Sequence, residues 1–185
     1  MTTYRTEEFK PGPMLAIIWS LLSLFLLFIS VSLFMGLAGI GSGVIEINAT
    51  DLLSMVIGSI LMLVAHEGLH GFAMARFGAQ PVYGAIMIAR VCPAFYCTAD
   101  GFRFTRMRYL VITLAPVVVI SVVGVIALQF TAWFPLILIL ALTVGGAVGD
   151  LWMAGMIVRT PVGTLFEDLK DGVRILQPAA ESSAI

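Results

Sequence analysis

Charge is missing from long stretches of this chain. No charged residue lies between Lys10 and Glu46, and Met14 to Ile40 is almost entirely Leu, Ile, Phe, Val and Ser. A helix needs about 20 such residues to cross the hydrocarbon layer of a bilayer, so 14–40 reads as a first span. The run is longer than the roughly 7–15 residues of a secretory h-region, which makes it an uncleaved helix rather than a signal peptide. Leu52 to Ala75 is a second span, apolar except for His66, Glu67 and His70 near its end. Charge vanishes again from Tyr109 to Gly149, and apolar character resumes after Asp150 as far as Val158. Phe130, Trp133, Phe134 and Pro135 divide that stretch, because aromatic residues favour the interface and proline favours a helix start. The third and fourth spans are therefore 109–130 and 135–158.

Shorter segments follow other rules. Pro81 to Val91 is apolar but too short to cross. Asp100-Gly101 is a hairpin-turn signal, and Phe102, Arg103 and Phe104 alternate apolar with charged. A β-hairpin or short strands at the membrane interface are expected here. Between Gly163 and Leu176, the residues Leu165, Phe166, Leu169, Val173 and Leu176 fall on one helical stripe, which predicts an amphipathic surface helix.

Composition supports the membrane reading. Of the 185 residues 60% are hydrophobic and 11% charged, with a mean hydropathy of +1.05, whereas soluble domains carry about 25% charged residues. A net charge of −1 without blocks of like charge leaves nothing to attract a polyanion, so nucleic acid is excluded as a partner. Two cysteines cannot form a disulfide scaffold, and Cys92 and Cys97 read as buried free thiols. Two histidines are too few for a multi-histidine di-iron site. All ten Lys and Arg residues precede span one, follow span four or lie between spans two and three. By the positive-inside rule both termini and the middle loop are then cytoplasmic. The expected fold class is an all-α integral membrane protein, a single domain over 1–185, with four spans and a short β-hairpin-like loop between the second and third.

The polar anomaly in span two is His66-Glu67-Gly68-Leu69-His70, the H-E-x-x-H pattern. On a helix the residues i and i+4 share a face, so both imidazoles reach one metal ion while Glu67 addresses a water bound to it. With two histidines and six glutamates in the chain, chance yields the pattern about once in 3,000 such sequences. Ionisable groups in hydrocarbon are costly, and a metal offsets that cost. Zinc is the usual ion of two-histidine sites with an open position, and a catalytic zinc takes three protein ligands.

The third ligand is sought among the acids. Glu46 and Asp51 lie at the opposite membrane face, Asp100 is in a turn, and Glu167, Asp168 and Asp171 fall on the surface tail. Asp150 is the one acid within another span. At 1.5 Å per residue it sits about 13 Å in from Arg159, while His66 and His70 sit about 15 and 9 Å in from Arg76. Gly145, Gly146, Ala147 and Gly149 on span four, with Ala65, Gly68 and Gly71 on span two, let the two helices approach closely. Ser42, on the other side of the membrane from both histidines, is discounted as a nucleophile.

An H-E-x-x-H inside a transmembrane helix, a later acidic residue and Leu114-Ala115-Pro116 between them resemble the site-2-protease type of intramembrane zinc metalloprotease. His66-Glu67-Gly68-Leu69-His70-Gly71 with Gly149-Asp150 is more closely similar to a bacterial and archaeal family of zincin peptidases. The resemblance covers about Leu52 to Val158. It implies zinc held by His66, His70 and Asp150, with Glu67 as catalytic base. The chain departs from the site-2 pattern in Leu151, where glycine usually follows the aspartate, and in lacking a PDZ domain.

The resulting expectation is a zinc-dependent endopeptidase in a prokaryotic cell membrane, acting on membrane proteins or peptides, with the lipid bilayer as its other partner. A non-catalytic zinc-binding membrane scaffold or regulator is the alternative. A metal transporter is disfavoured because the spans hold this one polar cluster and no graded path. The oligomeric state stays open.

Overall fold

The computed structural model describes residues 3–41, 44–88 and 92–179. Along the chain run β1 (Tyr4–Phe9), α1 (Pro13–Leu37), α2 (Ala49–Arg76), β2 (Val82–Ile88), β3 (Cys92–Thr98) and β4 (Arg103–Thr105). They are followed by α3 (Arg106–Leu128), α4 (Phe134–Gly146), α5 (Val148–Arg159), β5 (Leu165–Leu169) and β6 (Gly172–Pro178). The protein is mostly helical with two small antiparallel sheets. The helices α1, α2 and α3 are each long and apolar enough to cross a membrane, and α4 with α5 makes a fourth span if the bent pair counts as one.

Three of the helices, α1, α2 and α4, start at a proline or a capping box. Pro13 opens α1 at a position where its missing N–H costs nothing. The N-terminus of α2 carries a reciprocal cap, in which the Asp51 N–H donates to Asn48 Oδ1 at 2.9 Å and the Asn48 N–H donates to Asp51 Oδ2 at 3.2 Å. Trp133 Nε1 donates to the same Asp51 carboxylate at 3.0 Å, which ties the entry of α4 to the entry of α2. Inside the bundle Phe34, Ile120, Leu128, Ile137, Leu140 and Ala141 form a buried cluster. Ile17, Leu21, Phe25, Leu53, Ile60 and Val122 point outward and are exposed.

The fourth span is not one straight helix. It bends by 41° between α4 and α5, at Ala147 within Gly145-Gly146-Ala147-Val148-Gly149. Glycine is a poor helix former, and here it also permits close packing: a Cβ on Gly145 would lie 3.0 Å from the Ser23 carbonyl oxygen of α1. The bend makes Val148 the first residue of α5 and puts Asp150 in its first turn, where a helix favours negative charge.

The tail from 163 to 176 is not a surface helix. It forms the hairpin β5–β6, paired from Leu165↔Leu176 to Leu169↔Gly172 around a Lys170-Asp171 turn. That hairpin is the centre of a four-stranded sheet of order β1-β6-β5-β4, and β1, at Tyr4–Phe9, is a strand where no element was expected. Phe166 and Val173 are fully buried, and Ile175 and Leu176 nearly so. Pairing with β1 and β4 buries more apolar surface than a helix lying alone would. Phe104, Tyr109 and Phe166 stack beneath the sheet, with ring centroids 6.0 and 5.1 Å apart. Glu167, only 4% exposed, accepts hydrogen bonds from Arg174 at 2.9 Å and from the Gly101 N–H at 3.2 Å.

Strands do form in the middle loop, with the turn in a different place. The hairpin is β2–β3, paired from Val82↔Thr98 to Ile88↔Cys92, and its connection lies outside the described residues. Asp100-Gly101, with Gly101 at φ 78°, instead turns the chain from β3 into β4, which belongs to the other sheet. Ser42 also lies outside the described residues.

Candidate metal centre

The helix α2 carries His66, Glu67 and His70 in its last three turns, and the bend before α5 brings Asp150 to them. His66 Nε2 lies 3.0 Å from Asp150 Oδ2, and His70 Nε2 lies 3.5 Å from Asp150 Oδ1. The two imidazole rings are edge to face, with centroids 5.0 Å apart. Ligand-capable atoms of the three residues all fall within 4.8 Å of one another, and no other such group occurs among the described residues. Two ligand atoms bound at about 2.05 Å to a tetrahedral ion are separated by about 3.3 Å, and the separations of 3.0 and 3.5 Å bracket that value.

Orientation is set from outside the donor set. His70 Nδ1 is 2.9 Å from the carbonyl oxygen of Ile112 on α3. A carbonyl only accepts, so Nδ1–H donates to it, which leaves Nε2, on the Asp150 side of the ring, as the nitrogen that would bind an ion. Small residues bring the remaining walls in. The Tyr83 hydroxyl of β2 sits where a Cβ on Gly71 would be, which seats the β2–β3 hairpin against α2 beside Glu67.

Three cavities meet at Glu67. One, of about 330 Å³, is bounded by Glu67, His70, Asp150, Tyr109 and Asp168 among others. The second, of about 320 Å³, lies between α2 and α4 and touches His66, Glu67, Leu63, Ile139 and Thr143. The third, of about 470 Å³, lies between α2 and the hairpin, against Val64, Gly68, Tyr83 and Tyr96. A carboxylate that reaches all three faces both a cavity lined with polar side chains and two lined mainly by apolar ones.

Asp168, expected on a surface tail with Glu167 and Asp171, is instead part of this wall. It sits on β5 and accepts a 2.6 Å hydrogen bond from the Tyr109 hydroxyl. Burial pushes its carboxyl up to about 6 against the opposing effect of that hydrogen bond. Neither Tyr109 nor Asp168 was singled out from the sequence. The one available signal was Asp171-Gly172, a turn pair that marks the tail as a hairpin and so carries Asp168 back towards the bundle. Cys97 is buried and free, and burial raises its thiol to about 12, which keeps it protonated at neutral pH.

Two histidines at i and i+4, a glutamate between them and a carboxylate from a later helix are the donor arrangement of a zincin-type metallopeptidase. The chain belongs to the family described as Putative zincin peptidase, whose model matches residues 59–165. The match takes in His66, Glu67, His70 and Asp150 and stops short of Asp168. Membership implies zinc as the cofactor, and the donor set of two imidazoles and one carboxylate with a free coordination position suits that ion. No curated protein and no solved structure matches the chain.

Proposed function

We propose that this protein is a zinc-dependent intramembrane endopeptidase, a single membrane domain with both termini and the four-stranded sheet on the cytoplasmic side. The observation that carries the reading is the convergence of His66, His70 and Asp150 within 4.8 Å next to a glutamate that opens onto three cavities. His66, His70 and Asp150 would hold zinc, which when bound supplies the Lewis acidity that acidifies water and polarises a peptide carbonyl. Glu67 takes the proton of the attacking water and returns it to the leaving amide nitrogen.

The substrate has to arrive unwound, because the carbonyls of a helix are engaged within it. The β2–β3 hairpin, packed on α2 beside Glu67, forms a sheet of two strands whose outer edges are unpaired among the described residues, and an extended segment can add to such an edge by main-chain hydrogen bonds. The outward apolar faces of α1, α2 and α3 suit a lipid environment, and the nine basic residues among the described residues fall in the four-stranded sheet, in its turns or at the helix ends on that side.

The test is metal analysis of detergent-purified protein together with cleavage of membrane-spanning peptides containing helix-destabilising Gly or Pro. Wild type is expected to hold about one zinc per chain, and His70→Ala and Asp150→Ala to lose most of it. Glu67→Gln keeps its zinc while turnover falls at least about 100-fold. Full zinc in Asp150→Ala removes that residue from the ligand set. Full activity in Glu67→Gln leaves a non-catalytic zinc-binding scaffold in place of the peptidase.

A further inference from the structure

We propose that Pro116 is a positioning residue for His70, acting through the one backbone carbonyl it leaves free. In an α-helix the N–H of each residue donates to the carbonyl four residues back. Pro116 lies inside α3 and has no N–H, so the carbonyl it would have engaged, that of Ile112, has no helical partner. The proline ring also crowds that carbonyl and turns it away from the helix axis. Ile112 is 2% exposed, which puts its carbonyl in the interior, where an unpaired acceptor is costly. The group that reaches it is His70 Nδ1, at 2.9 Å.

One covalent feature of α3 therefore selects the chemistry of a side chain on α2. With Nδ1–H committed to Ile112, the lone pair of His70 stays on Nε2, the nitrogen 3.5 Å from Asp150 Oδ1. Without that acceptor the ring is free to flip or to adopt the other tautomer, and the ligand set is no longer preorganised. Loss of a partner of this kind typically weakens metal affinity about 10–100-fold. The inference rests on the proposed metal site and adds to it a residue that contacts neither metal nor substrate.

Pro116→Ala restores an N–H that competes for the Ile112 carbonyl. The affinity of the metal-free protein for zinc, measured by competition with a chromophoric chelator, is expected to fall about 10–100-fold. The thermal stability of the metal-free variant should hold or rise, because alanine is the better helix former. Replacing residue 116 by lactic acid, which links through an ester and so has neither ring nor N–H, should return the affinity to within about threefold of wild type. Nitrogen NMR of the histidines should show His70 protonated on Nδ1 in wild type and in the ester, and in Pro116→Ala a loss of that preference. Unchanged zinc affinity in Pro116→Ala, or an ester that stays weak, overturns the proposal, the latter by assigning the effect to the ring rather than the missing donor. His70→Ala, run alongside, keeps the two levels apart: if it retains its zinc, the metal-site reading fails, whatever Pro116 does.

Discussion

Asp168→Asn gives a quantitative test of how the sheet closes over the site. The carboxyl is held at about 6 against an ordinary value of 3.8. At 1.36 kcal/mol per tenfold change in proton affinity, the ionised form is disfavoured in the folded state by at most about 3 kcal/mol. The sign follows from proton counting. Between about pH 4 and pH 6 the folded protein holds this proton and the unfolded chain has released it, so stability falls as pH rises through that window, and the term is constant on either side of it. Asparagine still accepts the Tyr109 hydrogen bond through its Oδ1 and is neutral throughout, so the variant lacks the term. For a chain of this size 1 kcal/mol moves Tm by about 2–4 °C. The Tm of Asp168→Asn minus that of wild type should therefore become more positive by up to about 6–12 °C between pH 4 and pH 7. Thermal unfolding followed by tryptophan fluorescence in detergent, with a chelator present so that zinc release does not enter, measures both curves. Parallel curves would mean that Asp168 is solvated and that the tail does not roof the cavity.

Other features of the fold are open to equally direct tests. Phe166→Ala removes a fully buried ring from the stack with Tyr109 and is expected to destabilise by about 3–5 kcal/mol, read as a lowered Tm. At Gly172 a Cβ would drive into the Phe9 carbonyl oxygen, so Gly172→Val should release β1 and expose the segment before Pro13 to protease, while zinc stays bound. For topology, a cysteine placed at Asp100 should react only from the cytoplasmic side and one at Thr131 only from the opposite side. The reverse labelling would overturn the orientation.

The parts of this protein that could be read from the sequence are those whose signal is local. The four apolar stretches are visible because about 20 residues without charge leave few alternatives. The observed helices begin and end within about four residues of the expected bounds, inside the error such boundaries carry. H-E-x-x-H is visible because helical spacing alone puts both histidines on one face. Depth singles out Asp150 in the sequence, and the structure brings its carboxylate beside the histidines by a route the depth argument does not contain. The glycines before it were read as a packing surface, which Gly145 is, but they also end α4 and start α5. The carboxylate thus reaches the histidines from the first turn of a helix set at 41° to the one before it.

The tail shows why the remainder was not legible. Binary patterning separates strand from helix by the period of buried positions, and β5 violates the strand period because two consecutive residues, Phe166 and Glu167, are both buried. Glu167 tolerates burial only because Arg174 of β6 lies 2.9 Å away and the Gly101 turn donates to it. The first of those partners is found only after the hairpin is formed, and the second is more than 60 residues distant in the chain. Read without them, the same residues fall on a helical stripe, and the helix reading follows. The error propagates to the site, since a strand running back along the sheet delivers Asp168 to Tyr109 and to the cavity of His70, whereas a helix on the membrane surface would have carried it away. The pairing of β5 with β6 thus settles both the secondary structure of the tail and which acids surround the metal centre.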